Sequence, residues 1–345
     1  MRMPAFLTVI FLMSACFWSD DTPKTIRILG ETMGTTYRVT IVDAPEQPTQ
    51  QALTDGINAT LETVNAQMSN WVSNSEVSQF NTNRSTSPVK SSEAFLSVIA
   101  AAEDIHIKSS GVFDVTITPL INLWGFGPKT PDEPMPSQAN IQQALAQIGH
   151  SRLLHRNDSQ KTLQKSHPDV SINLSAIAKG YGVDQVAGYL AATGITRYLV
   201  EIGGDLVTAG LNVEGKLWSI GIETPDALTQ TVQTIIKISG QAMATSGDYR
   251  NFFEQDGVRY SHIINATTGW PIRHRTASVT VLAETAMAAD GWATAMLSLG
   301  QTAGMELAEQ HQIAVLFITK DEKKFIVNTS SHFETLTDIG KYGIR

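Results

Sequence analysis

Asp290 and Thr294 are side chains whose type and spacing suit a metal ion. They lie four residues apart in segment 286–297, whose composition predicts a helix, so both fall on one helix face. Their neighbours are small and apolar, and a carboxylate buried among such residues is costly unless it has a partner. The segment contains no Lys or Arg. A hard cation such as Mg²⁺ would satisfy Asp290, and so would a neighbouring helix N-terminus or a distant Arg.

Lys179 lies at the start of a second predicted helix, where it could contact an anion. Ser175 is a suitable N-cap residue, and the inward face of the helix would consist of Ile177, Val186 and Leu190. A helix N-terminus offers unpaired N–H groups to an anion, whereas a cation in the first turn opposes the helix dipole unless an anion lies nearby. Lys179 is therefore a candidate phosphate contact, although a solvated lysine fits the same pattern. The nearby glycines form neither a GxGxxG nor a Walker A loop.

His262 is a candidate general base in a third polar segment. Residues 244–251 gather Ser, Asp and Arg and lead, through a predicted hairpin around residues 255–257, to His262. Histidine is the side chain that titrates nearest neutral pH, which suits proton transfer. A lone histidine is more often a hydrogen-bonded structural residue, so both interpretations stand.

The composition excludes one class of function. The chain has 345 residues, of which 42% are hydrophobic and 17% charged, which is ordinary for a globular protein with a sizeable core. Its formal net charge is −8. We expect no nucleic-acid partner, because phosphate contacts need clustered Lys and Arg.

The N-terminus has the pattern of an export signal. Residues 1–15 combine Arg2, an apolar run and small residues directly before Cys16, the only cysteine in the chain. The run is too short to span a membrane and indicates a signal peptide. Small residues before a cysteine resemble a bacterial lipobox, which predicts lipidation of Cys16 and a tether over residues 16–24. A plain signal peptide that happens to contain a cysteine is the alternative.

The remaining chain alternates strands and helices without the regular rhythm of a parallel doubly wound sheet. We expect a single α+β domain over residues 25–345, with a mixed, largely antiparallel sheet and inserted helices. The predicted strands are residues 25–29, 36–42, 198–202, 217–222, 234–238 and 279–282. The predicted helices are residues 50–68, 93–107, 141–148 and 286–299.

Taken together, these segments resemble the ApbE family, the FAD:protein FMN transferases. The resemblance covers nearly the whole chain after the tether, and several separated motifs occur in the family's order. The motifs are residues 33–35, 69–81, 111–127, 173–181, 203–205, 245–251, 261–269 and 290–294.

The resemblance implies roles for individual residues. Asp290 and Thr294 match metal-ligand positions, with the backbone carbonyl of Ala176 as a further ligand, and His262 matches a histidine important for transfer. The positions that match FAD contacts are Met33, Trp71, Val112, Phe113, Asp114, Asn173, Lys179 and Ile264. Ala293 stands where some members carry an additional acidic metal ligand, and Ala266 stands where proline is common.

The same resemblance implies an activity and a location. We expect Mg²⁺-dependent transfer of FMN from FAD to a Thr or Ser hydroxyl of flavin-acceptor subunits of membrane redox complexes, with release of AMP. A lipid at Cys16 would hold the enzyme on the periplasmic side of the bacterial inner membrane. The alternatives are a pyrophosphatase that hydrolyses FAD to FMN and AMP, a non-catalytic FAD-binding lipoprotein, and a structural lipoprotein.

Overall fold

The computed structural model describes residues 23–126, 135–226, 231–248, 252–255, 258–322 and 324–337. The strands, in chain order, are β1 (Thr25–Thr32), β2 (Thr35–Val42), β3 (Val89–Lys90), β4 (Leu154–Asn157), β5 (Thr162–Lys165), β6 (Tyr198–Ile202), β7 (Asp205–Ala209), β8 (Trp218–Glu223), β9 (Val232–Ile238), β10 (Ala242–Gly247), β11 (Phe252–Gln255), β12 (Val258–Ser261), β13 (Thr276–Ala283), β14 (Ala314–Asp321) and β15 (Lys324–Thr329). The helices are α1 (Gln50–Met68), α2 (Glu76–Thr82), α3 (Glu93–Lys108), α4 (Thr118–Leu123), α5 (Gln138–Ala146), α6 (His150–Leu153), α7 (Ala178–Ala192), α8 (Ala286–His311) and α9 (Ser331–Leu336).

An eight-stranded sheet forms the centre of the molecule. Its strand order is β1-β2-β6-β7-β10-β13-β14-β15, and each neighbouring pair in it is antiparallel. The predicted α+β fold with a largely antiparallel sheet is confirmed. The smaller sheets are β3-β5-β4, β8-β9 and β11-β12.

The central sheet is covered on both faces, which explains why β13 is buried along almost its whole length. Val279 and Val281 face α8, where they meet Trp292 and Met296 in one apolar cluster. Leu282 faces the opposite side, where the β8-β9 hairpin supplies the covering residues. Successive side chains of a strand point to opposite faces, so a strand between two layers is buried at nearly every position, and in β13 these positions include the polar Ser278 and Thr280 as well as the apolar residues.

The predicted elements correspond well to the observed ones, with two informative extensions. Helix α1 has the predicted bounds because Leu53, Ile57 and Leu61 recur at helical spacing and are buried. Helix α8 continues past residue 299 to His311, since the chain resumes its helical path after Gly300, whose backbone is non-helical. Helix α5 starts before the predicted residue 141 because Ser137 caps it.

Several predictions fall on parts of the chain that the structure does not describe. The signal peptide, Cys16 and most of the tether lie outside the described residues, as do residues 249–251, 256–257 and 338–345. Among the helices that are described, none is long and apolar enough to span a bilayer.

Candidate active site

Helices α7 and α8 meet through their backbones, and this contact organises the site. A Cβ built on Gly180 would lie 2.1 Å from the carbonyl oxygen of Ala286, so only glycine allows the approach. The carboxylate of Asp184 accepts hydrogen bonds from the backbone N–H groups of Ala286 (2.8 Å) and Met287 (2.9 Å). Burial raises the pKa of Asp184 to about 6, although both N–H donors lower it. Asp184 therefore holds the start of α8 against α7.

Asp290 lies one turn further along α8 and is bonded to α7. It is 3% exposed. Its Oδ2 accepts a hydrogen bond from the backbone N–H of Gly180 at 3.1 Å, and its Oδ1 is 3.6 Å from Lys179 Nζ. The cation that segment 286–297 lacks is thus supplied by the neighbouring helix. The helix N-terminus considered from the sequence as a partner for Asp290 is present as well.

Lys179 bridges two buried carboxylates. Its ammonium pairs with Asp205 as well as with Asp290, and Asp205, the first residue of β7, is 1% exposed. Burial alone would lower the pKa of Lys179, but the two carboxylates raise it well above its usual range. Burial, with the charge of Asp290, raises the pKa of Asp205 against the opposing effect of Lys179. Lys179 is therefore not an unpaired surface lysine, because its ammonium contacts two buried carboxylates.

Asp205 was not predicted as a site residue. The available signal was its place directly after Gly203-Gly204 at the end of a predicted strand. Gly203 and Gly204 both have positive φ, so the chain turns tightly there and returns Asp205 to the end of the sheet that faces α7. A turn of this kind can be anticipated from sequence, but the helix that it faces cannot.

The predicted N-cap at Ser175 is wrong. Helix α7 begins at Ala178, and its N-cap residue, Ile177, makes no side-chain cap. The backbone N–H of Ser175 instead donates to the Asn173 side chain at 2.9 Å. Gly180 N–H would reach back to the Ala176 carbonyl in a longer helix, but it donates to Asp290. Within the described chain this leaves the Ala176 carbonyl without that helical donor, at the position that the resemblance assigns to a metal ligand.

Thr294 and His262 lie near the Lys179, Asp205 and Asp290 cluster, and each interacts with a residue in or directly after strand β10. Thr294 lies one turn after Asp290, and its hydroxyl is 3.3 Å from the Ser246 hydroxyl. Two residues later, Asp248 interacts electrostatically with His262. Burial raises the pKa of Asp248, whereas nearby positive charge lowers it, with Arg259 making the largest contribution. His262 is half-buried, and its ring meets the Phe126 ring edge-on at 6.3 Å.

The predicted FAD-contact stretch is buried and internally bonded. Val112 is 7% and Phe113 3% exposed. Asp114 accepts hydrogen bonds from Thr116 N (2.7 Å) and Oγ1 (2.6 Å), and from His150 N at 3.0 Å. The Asp114 carboxylate therefore fixes the local chain path. Burial lowers the pKa of His150 to about 4, although Asp114 opposes that shift.

The remaining predicted FAD contacts are Met33, Trp71 and Ile264, and they lie in three different parts of the structure. Met33 has φ +52 at the β1–β2 turn, and its sulfur would be 3.3 Å from a Cβ built on Gly182 in α7. Trp71 is 79% exposed in the α1–α2 loop. In the same loop, the Asn70 side chain donates a hydrogen bond to the Ile172 carbonyl and accepts one from the Leu174 N–H, on either side of Asn173. Ile264 is 4% exposed and forms an isolated bridge with Pro271.

The donor set of the cluster suits a hard cation. In the described ranges, no three or more His, Cys, Asp or Glu side chains come together in a group that could hold a metal. A metal bound at Asp290 would therefore depend on neutral oxygens, such as the Thr294 hydroxyl and the Ala176 carbonyl. Carboxylate, hydroxyl and carbonyl oxygens are the ligands of Mg²⁺ and Ca²⁺ rather than of zinc.

Comparison with known proteins agrees with this geometry. Residues 33–317 match the ApbE family model, and the chain belongs to that family. It is 42% identical over 330 residues to a FAD:protein FMN transferase from Vibrio cholerae, covering 95% of this chain and 96% of that relative. It is 36% identical to the protein of that name from Escherichia coli K12, covering 96% and 97%.

Solved structures show the same fold. The flavin transferase ApbE of Vibrio cholerae superposes with a TM-score of 0.83 at 42% identity, covering 91% of this chain and 99% of that chain. The flavinyl transferase ApbE of Pseudomonas stutzeri has a TM-score of 0.83 at 36% identity, covering 91% and 97%. The resemblance noted in the sequence is thereby confirmed.

Proposed function

We propose that this chain is a FAD:protein FMN transferase that depends on Mg²⁺ and modifies a Thr or Ser hydroxyl of an acceptor protein. One observation carries the proposal: the Lys179 ammonium and the buried Asp290 meet at the N-terminus of α7. This arrangement occurs in a chain 42% identical to a FAD:protein FMN transferase. A cation, a helix N-terminus and a buried carboxylate together form a site for a metal–diphosphate group.

Asp290, Thr294 and the Ala176 carbonyl would hold the metal. Their all-oxygen donor set supports Mg²⁺. When bound, Mg²⁺ supplies charge neutralisation at the FAD diphosphate and orients the phosphorus for in-line attack. Lys179 would contact a diphosphate oxygen, and Asp205 would retain the ammonium at that place while the diphosphate is bound.

The reaction joins the acceptor to the FMN half of FAD. The acceptor hydroxyl oxygen forms a bond to the phosphorus on the FMN side, the bond between that phosphorus and the bridging oxygen breaks, and AMP leaves with the bridging oxygen. His262 accepts the hydroxyl proton. Asp248 favours the resulting imidazolium, because its carboxylate already interacts electrostatically with His262.

The location is part of the proposal. Lipidation of Cys16 would anchor the enzyme on the periplasmic side of the bacterial inner membrane. Flavin-acceptor subunits of membrane redox complexes would be reached there. The lipobox pattern at residues 13–16 supports this assignment.

Intact mass spectrometry tests the activity. A Thr-containing acceptor fragment is incubated with the protein, FAD and Mg²⁺, and the expected mass gain is one FMN residue. Chelation of the metal or Asp290→Ala should abolish the gain. His262→Asn should reduce transfer far more than FAD binding, and equal losses in both would exclude His262 as the base.

Two other outcomes of this experiment would contradict the proposal. Free FMN and AMP with an unmodified acceptor would indicate a pyrophosphatase, provided that an established transferase modifies the same fragment. Bound but intact FAD would indicate a carrier.

A further inference from the structure

The chain enters the central sheet next to an exposed turn between β7 and β8. The backbone N–H of Lys24, one residue before β1, donates to Asp43 at 3.1 Å, and Asp43 N–H returns a bond to Lys24 at 2.9 Å. Arg197 pairs with the same Asp43 carboxylate. It also donates to the carbonyls of Leu211 (3.0 Å) and Asn212 (2.5 Å). The start of β1 and residues 211–217 are therefore parts of one surface, which we call the Lys24 surface.

The Lys24 surface presents three apolar side chains to solvent. Leu211, Val213 and Leu217 are 41%, 42% and 40% exposed. Single exposed apolar residues are ordinary, but three within seven residues of one turn are not scattered. The Asn212 side chain holds the turn by accepting from the backbone N–H groups of residues 214 (2.9 Å) and 216 (3.0 Å). The apolar side chains are consequently held in a defined turn.

The charges of the turn largely cancel. Lys216 pairs with Glu214 at 3.0 Å, and Arg197 pairs with Asp43. Attraction of this surface to a partner would therefore come mainly from apolar burial, and the Lys24 ammonium adds one positive charge to these two pairs.

The candidate active site lies at the opposite end of the same strands. Thr25 pairs with Val42 at the Lys24 end of β1, and the other end of β1 leads into Met33. Strand β7 runs the other way, from Asp205 at the site towards Ala209 at the Lys24 end. With a rise of about 3.3 Å per residue, the eight residues of β1 span roughly 25 Å and the five of β7 roughly 15 Å. The strands thus separate the Lys24 surface from the site.

We propose that the Lys24 surface is a membrane contact, with Leu211, Val213 and Leu217 resting in the bilayer interface. This inference rests on the Cys16 anchor of the proposed function. Eight residue steps from Cys16 to Lys24 cannot exceed about 28 Å when fully extended, so an anchored chain keeps this surface near the lipid. The anchor alone leaves the domain free to rotate, and the apolar turn restricts that rotation.

The tether strengthens a weak contact. A few partly inserted apolar side chains bind a membrane poorly alone, and stable association usually combines two signals. Covalent attachment raises the effective concentration of the turn at the bilayer, so even weak insertion becomes populated. The consequence is a site held roughly 15 to 25 Å from the lipid surface. That height suits acceptor hydroxyls on domains projecting from the membrane rather than hydroxyls at the lipid headgroups.

Depth-dependent quenching tests the contact in the lipidated full-length chain. Cys16 is the only cysteine, and lipidation consumes its thiol, so an introduced cysteine is the sole labelling site. Val213→Cys carries the environment-sensitive fluorophore NBD in vesicles of phosphatidylethanolamine and phosphatidylglycerol that contain acyl-chain doxyl lipid. The matched control is Ile107→Cys, which is 63% exposed near the end of α3 that leads into the Val112–Asp114 stretch.

We expect NBD at residue 213 to shift to the blue and to be quenched several-fold more than NBD at residue 107. Adding Leu211→Ser and Leu217→Ser to the Val213→Cys chain should reduce quenching to the control level, which separates insertion of the turn from partitioning of the dye. Equal quenching at both positions, or none at either, would overturn the membrane contact.

Flotation of the same vesicles distinguishes failure of the membrane contact from failure of the Cys16 anchor. Protein that floats without quenching at residue 213 has the anchor but not the contact. Protein that does not float has neither. FMN transfer to a soluble acceptor fragment is measured in detergent, so its outcome concerns the activity alone.

Discussion

Replacing Gly180 by alanine tests the backbone contact on which the site depends. The new Cβ would lie 2.1 Å from the carbonyl oxygen of Ala286 and 2.4 Å from its carbonyl carbon, where ordinary contacts are 3.4–4 Å. Both atoms are backbone, so α7 and α8 would have to separate by more than about 1 Å. That movement would break the bond from Gly180 N–H to Asp290.

The expected cost follows from three contributions. Overpacking of a close contact costs about 1–3 kcal/mol, and loss of a hydrogen bond to a charged group costs about 1.5–3 kcal/mol. Alanine returns roughly 0.5–1 kcal/mol through its better helix propensity. We therefore expect Gly180→Ala to lower the free energy of unfolding by about 2–5 kcal/mol, and to weaken Mg²⁺ binding because Asp290 is displaced.

The same helix supplies a control. A Cβ built on Gly188 meets nothing within 4 Å, so Gly188→Ala should stabilise the protein by about 0.5–1 kcal/mol. Urea unfolding followed by circular dichroism measures both variants, with the slope of the transition checked for constancy. Equal free energies of unfolding for the two variants would refute the close approach of α7 and α8.

Three further perturbations have defined outcomes. Burial lowers the pKa of His150 to about 4, so the unfolded chain binds a proton that the folded chain does not. The free energy of unfolding therefore falls as the pH drops from about 6.5 towards 4. His150→Gln should reduce this fall by roughly 3 kcal/mol, and an unchanged pH dependence in urea titrations of the variant would contradict this. Gly300→Ala should destabilise by about 1–3 kcal/mol, because φ is +75 and a Cβ would lie 2.5 Å from the His274 ring; an unchanged melting temperature would refute it. Asp205→Asn should raise the Mg²⁺ concentration for half-maximal FMN transfer about tenfold, since Lys179 then pairs with Asp290 alone and competes with the metal for that carboxylate; an unchanged Mg²⁺ titration would contradict the bridging role of Lys179.

Helix α7 shows which features a local sequence pattern can predict and which it cannot. The apolar face of α7 was predicted correctly because burial of Val186 and Leu190 repeats at helical spacing. Its first residue was predicted incorrectly: Ser175 is a suitable cap by residue type, but α7 begins at Ala178 with Ile177 as its N-cap residue. The actual start depends on Asp290, which accepts the N–H of Gly180 from 110 residues away.

Several strands and helices, and the position of Asp290 and Thr294 on one helix face, could be predicted from the sequence, because they follow from spacing along a single segment. The family could be predicted because several separated motifs occur in its order. The position of Lys179 between Asp205 and Asp290 could be seen only in the folded protein. The strand order likewise shows that the Lys24 surface and the site lie at opposite ends of the sheet. Ion pairs and strand order arise from packing between distant segments, and spacing within one segment carries no information about which surface that segment will contact.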